Sequence, residues 1–99
     1  MEKQIKQFLE FLQIDKKLSD NTLQSYRRDI LQFERYLNDK KINYTEITEE
    51  NIEEYMEYLK SVGKKTSTIS RSLATIRSFY QYLIKNKKLF GEKMTEYKN

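Results

Sequence analysis

The chain has 99 residues, of which 34% are charged and 37% hydrophobic, and its net charge is +4. It contains no cysteine and no histidine, which excludes disulfide frameworks and thiolate or imidazole metal sites and removes the commonest general base of enzymes. It has no proline and only two glycines, so few chain breaks are available and we predict an all-α protein with short connections. No apolar run approaches a membrane span, and we expect a cytoplasmic protein with no membrane partner and no cofactor.

Four helices are predicted from apolar residues that recur at the i, i+3, i+4, i+7 spacing of an amphipathic helix. In chain order, their apolar stripes are Ile5, Phe8, Leu9 and Leu12; Leu23, Tyr26, Ile30, Phe33 and Leu37; Ile52, Tyr55, Met56 and Leu59; and Ile69, Leu73, Ile76, Tyr80 and Leu83. The sequence therefore predicts a compact bundle of four helices. Residues 89–99 are weakly patterned and form either a short fifth helix or the start of a linker.

Capping residues predict where these helices begin and end. Ser19 and Thr48 are good N-caps for the second and third helices, because each precedes acidic residues in the first turn. Gly63 is a plausible C-terminal cap of the third helix. The fourth helix opens at Thr66 or Ser67, and we expect Ser67 to serve as its N-cap.

The charge is divided between two neighbouring segments. Residues 42–59 contain six glutamates and no basic residue, whereas residues 60–91 contain eight lysines and arginines and no acidic residue. A charge run of this kind is often only a solvated face. A basic surface without carboxylates is, however, what a polyanion such as DNA requires, because a misplaced carboxylate would face a phosphate.

Helical geometry predicts which residues oppose the apolar stripes. On the second helix the outward side carries Asn21, Ser25, Arg28, Gln32 and Arg35, and on the fourth it carries Ser67, Arg71, Ala74, Thr75 and Ser78. Small hydroxyl residues permit close approach and can donate to phosphates, and an arginine can reach a phosphate or a guanine edge. Arg27 lies beside the apolar stripe, and we expect its head to pair with Asp20 or Asp29.

Two long patterns resemble a known family. "NTLQSYRRDI" (residues 21–30) and "TISRSLATIRSFYQYL" (residues 68–83) are similar to the N-terminal, SAM-like core-binding domain of tyrosine recombinases, the phage integrases and Xer-type enzymes. The resemblance extends from about residue 2 to residue 90. It implies a helical DNA-binding domain over residues 1–90, with residues 91–99 a tail or the start of a linker to an absent catalytic domain.

The resemblance implies a specific role. The domain would form half of a clamp on duplex DNA at the crossover site, for DNA integration or recombination. Its second and fourth helices would lie against the DNA, and its first helix would contact other recombinase subunits in a tetrameric synapse. Catalysis would belong to a separate domain, so we expect an excised, monomeric fragment without enzyme activity. The DNA-contacting residues expected from the faces and the resemblance are Asn21, Thr22, Ser25, Arg28, Lys64, Lys65, Thr66, Ser67, Thr68, Arg71 and Thr75.

Two other functions compete with DNA binding. The acidic third helix could make the chain a protein-interaction module that docks a basic partner, although its outward side offers almost no apolar anchor. Glu49, Glu50 and Glu53 could form a metal site, although acidic residues in a first turn are stabilised by the helix dipole without any metal. We therefore expect no metal site.

Overall fold

The computed structural model describes residues 1–86, which form four α-helices and one short 3-10 helix. They are α1 (Glu2–Ile14), α2 (Asp20–Lys40), the 3-10 helix (Tyr44–Glu46), α3 (Glu49–Ser61) and α4 (Thr66–Lys85). The predicted all-α bundle of four helices is confirmed, and none of the helices in residues 1–86 could cross a membrane. The predicted fifth helix or linker at 89–99 and the domain boundary at residue 90 lie outside the described residues.

The N-caps of α2 and α3 are those that the sequence predicts. Ser19 Oγ accepts a hydrogen bond from the backbone N–H of Thr22 at 3.3 Å. Thr48 forms a reciprocal capping box with Asn51, in which each side chain accepts from the other residue's backbone N–H, at 3.0 and 3.2 Å. The single cap of Ser19 and the capping box of Thr48 satisfy backbone N–H groups that would otherwise lack a partner.

The connection from α3 to α4 turns on Gly63, as predicted. Its φ of +85° is in the left-handed region, which costs glycine little. The N–H of Gly63 donates to the carbonyl of Lys60, and the N–H of Lys64 donates to the carbonyl of Leu59, both at 3.0 Å. This pair of bonds is a Schellman motif, and it ends α3 so that α4 can begin only a few residues later.

One aromatic-rich core joins all four helices. Phe8, Phe33, Tyr55, Phe79 and Tyr80 are almost fully buried, and each such ring stabilises the fold by about 1.5–3 kcal/mol through apolar burial. Phe8 meets Phe79 edge-on at 5.4 Å between ring centroids, and Phe33 meets Tyr55 edge-on at 5.1 Å. All residues of the predicted apolar stripes are buried or packed against this core.

The buried side of α4 differs from the predicted stripe. It includes Ser72, Thr75 and Phe79 in addition to the predicted apolar residues, and Leu73 is only partly buried. At about 100° per residue, the buried side is rotated by roughly 50° from the predicted stripe, towards Ser72 and Thr75. The exposed side of α4 is rotated by the same angle, so the side chains that are accessible to a binding partner differ from the predicted ones.

Candidate nucleic-acid interface

The outward side of α2 carries the predicted polar residues. Asn21, Arg28 and Arg35 are exposed, whereas Ser25 and Gln32 are partly buried. Thr22 is partly buried, and its hydroxyl accepts a hydrogen bond from Ser19 Oγ at 3.0 Å. The two arginines are therefore the most accessible cationic groups on this side of the helix.

The start of α4 is exposed and basic. Lys64, Lys65, Thr66 and Ser67 are exposed, and Thr68 is partly buried. The prediction that Ser67 caps the helix is wrong, since the N-cap position is Lys65 and no side chain of residues 1–86 caps this end. Ser67 lies inside the first turn of α4 and, like the two lysines, is exposed.

Arg71 and Thr75 do not project freely from α4 as predicted. Arg71 Nε donates to Asp29 Oδ2 at 2.9 Å, and Arg71 Nη2 donates to Asp29 Oδ1 at 3.0 Å. Thr75 is fully buried, with its Oγ1 3.1 Å from the same Asp29 Oδ2. Thr75 is therefore removed from the set of accessible residues, and Arg71 is an interhelical partner that remains at the surface.

Sequence reasoning missed the role of Asp29 as the buried partner of Arg71. Asp29 is buried between α2 and α4, and it receives both donors of the guanidinium edge. Its hydrogen bond raises the pKa of the Arg71 guanidinium, so Arg71 stays a cation in the folded domain. Arg27, which was expected to pair with Asp20 or Asp29, is exposed and forms no ion pair within residues 1–86.

The site has few carboxylates near its cations. The segment from residue 60 to residue 86 contains no acidic residue, and Asp29, the carboxylate nearest to Arg71, is covered. Arg28, Lys64, Lys65 and Arg71 therefore present positive charge without an exposed acidic residue on α4. This arrangement is able to receive a polyanion, with hydroxyl groups of α4 available as further donors.

The acidic side of the molecule has a different character. The glutamates of α3 are exposed, and four of them, with Tyr36 and Tyr58, line a groove between α2 and α3. Tyr58 is partly exposed beside Tyr36, with 5.0 Å between ring centroids, and Val62 is exposed at the end of the helix. The expectation that this side has almost no apolar anchor is therefore wrong. In the part of the chain that the structure describes, no group of acidic residues is arranged to hold a metal ion.

Comparison with known proteins gives a consistent result. Residues 5–87 match the family model described as phage integrase, N-terminal SAM-like domain. The chain is 47% identical over 83 residues to a provisionally assigned tyrosine recombinase of Caldanaerobacter subterraneus subsp. tengcongensis, covering 84% of the chain and 29% of that relative. It is 42% identical over 87 residues to tyrosine recombinase XerD of Oceanobacillus iheyensis, covering 86% of the chain and 29% of that relative. No solved structure matches.

Coverage differs between the chain and its relatives. The match to XerD of Rickettsia conorii, at 42% identity over 80 residues, covers 81% of the chain but 26% of that relative. The chain thus spans less than a third of the length of the curated relatives it matches. Since the family model covers nearly all the described residues, the chain belongs to the family of phage integrase N-terminal SAM-like domains, the N-terminal domains of tyrosine recombinases.

Proposed function

We propose that this domain binds duplex DNA and forms half of a clamp at the crossover site of a tyrosine recombinase. The recombinase would be of bacterial or phage origin and would act in the cytoplasm. The observation that carries the proposal is the similarity to tyrosine recombinases over more than four-fifths of the chain. The exposed cations of α2 and of the start of α4, and the absence of acidic residues from residues 60–86, support it. Phosphates are the groups that such a surface attracts.

Catalysis of strand cleavage belongs, in this proposal, to another part of the recombinase. The chain has no histidine, and six of its eight tyrosines are packed in or against the core: Tyr26, Tyr36, Tyr44, Tyr55, Tyr80 and Tyr82. Tyr58 is exposed, but the groove that it lines carries four glutamates, which repel a phosphate. A nucleophilic tyrosine has to reach a phosphate and a proton acceptor, which a core position does not allow. We expect the 99-residue chain to show no cleavage of supercoiled DNA, and nicking by the purified chain would contradict this.

The proposed partners are duplex DNA and other recombinase subunits. A groove runs along α1 and α2, in which Ile5, Leu9, Leu23 and the exposed Leu31 lie among polar and charged side chains, and it supports a subunit contact through α1. A single domain has little apolar surface there, so we expect the isolated chain to be a monomer. Sedimentation equilibrium tests this, and a stable dimer at micromolar concentration would contradict it.

DNA binding is tested by titrating the isotope-labelled chain with a short duplex at low salt while recording backbone amide shifts. We expect the shifts to cluster in residues 21–35 and 64–78 and to fade as the salt concentration rises. If no amide shifts at several hundred micromolar duplex, the DNA-binding proposal fails. If shifts cluster in α3 instead, the DNA-facing side has been assigned wrongly.

The phosphate contacts are tested by a charge-matched pair of double variants. Lys64→Gln with Lys65→Gln is expected to lower the salt dependence of binding, the slope of log K against log salt, by about 2, since each phosphate contact adds about 0.9. Lys40→Gln with Lys41→Gln removes the same charge at the far end of α2 and serves as the control. Equal slopes for the two variants would show that Lys64 and Lys65 do not contact phosphates.

A further inference from the structure

The contact between Asp29 and Arg71 leaves a defined part of the guanidinium unused. Both hydrogen bonds to Asp29 use the edge formed by Nε and Nη2. Of the five N–H donors of an arginine, the second proton of Nη2 and both protons of Nη1 remain. The Arg71 side chain is 40% exposed, whereas that of Asp29 is 3% exposed. The accessible surface of the pair therefore belongs to Arg71, and the Nη1–Nη2 edge is the edge of its guanidinium that Asp29 leaves free.

This free edge has the geometry of a DNA-reading group. Two parallel N–H donors can bind two phosphate oxygens, or the O6 and N7 atoms of a guanine, in a bidentate manner. Asp29 behind the guanidinium restricts the torsions of the arginine side chain before any ligand arrives. An arginine that is already ordered loses less conformational freedom on binding than one that is free in solvent.

Thr75 completes the arrangement from the buried side. Its Oγ1 lies 3.1 Å from Asp29 Oδ2 and 3.0 Å from the Arg71 carbonyl oxygen, so its single proton serves one of these acceptors at a time. The carboxylate thus has donors from both Arg71 and Thr75, and its position between α2 and α4 is defined by both helices. A carboxylate held in this way can set the direction of the guanidinium.

We propose that Asp29 is a positioning residue, which holds Arg71 with its outer edge towards DNA while keeping its own charge away from the phosphates. This inference rests on the proposed DNA binding. It assigns the role of DNA contact to Arg71 and the role of orientation to Asp29, with Thr75 fixing the carboxylate. Asp29 acts through Arg71 and does not touch the DNA.

The negative charge of Asp29 and its positioning role predict opposite effects of Asp29→Asn on DNA affinity. Asp29→Asn removes a negative charge from the DNA-binding side, so electrostatics alone predicts equal or tighter binding of DNA. If Asp29 orients Arg71, binding becomes weaker by roughly three- to tenfold, because the arginine must then be ordered on binding. Asp39→Asn, an exposed change on the same helix, is the charge-matched control and is expected to leave affinity unchanged or slightly increased.

Affinity is measured on the 99-residue chain and its variants by fluorescence anisotropy with a labelled duplex, after circular dichroism has verified that each variant is folded. Weaker binding by D29N but not by D39N supports the proposal. Binding by folded D29N that equals or exceeds the wild type overturns it. In an Arg71→Lys background, D29N is expected to cause no further loss of affinity, because the arginine edge that Asp29 orients is absent.

A measurement on the wild type covers the case in which D29N does not fold. The side-chain Nε–H signal of Arg71, assigned by its loss in R71K, is followed during the duplex titration. The proposal predicts that this signal keeps its shift and slow solvent exchange while the Nη signals move. An Nε–H that loses its protection, or Nη signals that stay still while the amides near Lys64 and Lys65 move, overturns the positioning role alone. If no signal of the protein moves, the proposed DNA binding fails as well.

Discussion

Helix α2 is held on two sides by contacts of different chemistry. Towards α3 the contact is aromatic, with 5.1 Å between the rings of Phe33 and Tyr55 and 4.9 Å between those of Tyr36 and Tyr55. Towards α4 the contact combines the edge-on ring pair of Phe33 and Tyr80, at 6.4 Å, with the buried carboxylate of Asp29 and its bonds to Arg71. The first contact removes mainly apolar surface from water, whereas the second also removes a charge from water.

The two contacts therefore contribute differently to the fold. Burial of aromatic rings is favourable by itself, and ring pairs at these distances add to it. A buried ion pair must first offset the loss of hydration of its charges, and apolar replacements of similar volume are often as stable. The aromatic rings therefore account for stability, while the buried ion pair is better explained by the position that it gives to Arg71.

The largest expected effect is on the aromatic side. Phe33→Ala should lower the free energy of unfolding by about 3–5 kcal/mol, because it opens a cavity among fully buried rings. Tyr58→Ala removes a partly exposed ring of the same cluster and should cost about 1 kcal/mol. Urea unfolding compares the two, and equal losses would contradict the assignment of stability to the buried rings.

A smaller effect is expected on the charged side. Arg71→Ala leaves the Asp29 carboxylate buried without its ion-pair partner and should cost about 2–3 kcal/mol, less than a fully buried pair because water reaches this half-exposed site. Asp29→Val with Arg71→Met replaces both groups by apolar ones and should lie within about 1 kcal/mol of the wild type. If urea unfolding finds the double variant as unstable as Arg71→Ala, the pair is needed for stability and the comparison fails.

The same contrast explains which parts of the structure the sequence could predict. The helices, the Ser19 and Thr48 caps and the Gly63 turn follow from local chemistry and periodicity, and they agree with the structure. The buried side of α4 differs from the predicted one because Thr75 is a polar residue type and Phe79 lies outside the predicted stripe. A threonine is small, and its hydroxyl can be satisfied inside a helix contact, so hydropathy alone is a poor guide to its burial.

The partner of Arg71 could not be predicted from the sequence. Asp29 lies 42 residues away along the chain, and no helical period connects the two positions. An aspartate is normally assumed to be exposed, since burial of a carboxylate is unfavourable without a partner. One signal in the sequence was available. A buried stripe that includes Phe79 also includes Thr75, which lies four residues earlier on the same side of the helix, and this indicates that α4 presents a polar group to α2.

Alkaline pH should separate Tyr55 from the other tyrosines. Burial raises the pKa of Tyr55, so its phenol stays protonated in the folded domain while the unfolded chain ionises near pH 10. The unfolded state then binds fewer protons, and the free energy of unfolding falls as the pH rises above about 10, by up to about 1.4 kcal/mol per pH unit for each such tyrosine. Between pH 9 and 11 the unfolded phenol is about half ionised on average, so Tyr55→Phe should make this slope shallower by about 0.7 kcal/mol per pH unit in urea unfolding. Parallel slopes for the two proteins would contradict the protonated, buried phenol.

The smallest effects come from removing single hydroxyl groups from two buried tyrosines. Tyr80 Oη donates to the carbonyl of Tyr44 at 2.7 Å, which ties α4 to the 3-10 helix, whereas Tyr55 Oη has no hydrogen-bond partner among residues 1–86. At pH 7, Tyr80→Phe should cost about 1 kcal/mol, because it leaves that carbonyl without its donor. Tyr55→Phe removes a buried hydroxyl that makes no hydrogen bond, and it should leave the free energy of unfolding equal or slightly higher.

A loss of 1 kcal/mol or more in Tyr55→Phe would mean that the Tyr55 hydroxyl is hydrogen-bonded in solution. The aromatic side of α2 would then also depend on a polar contact, and the contrast with the Asp29 side would be one of degree.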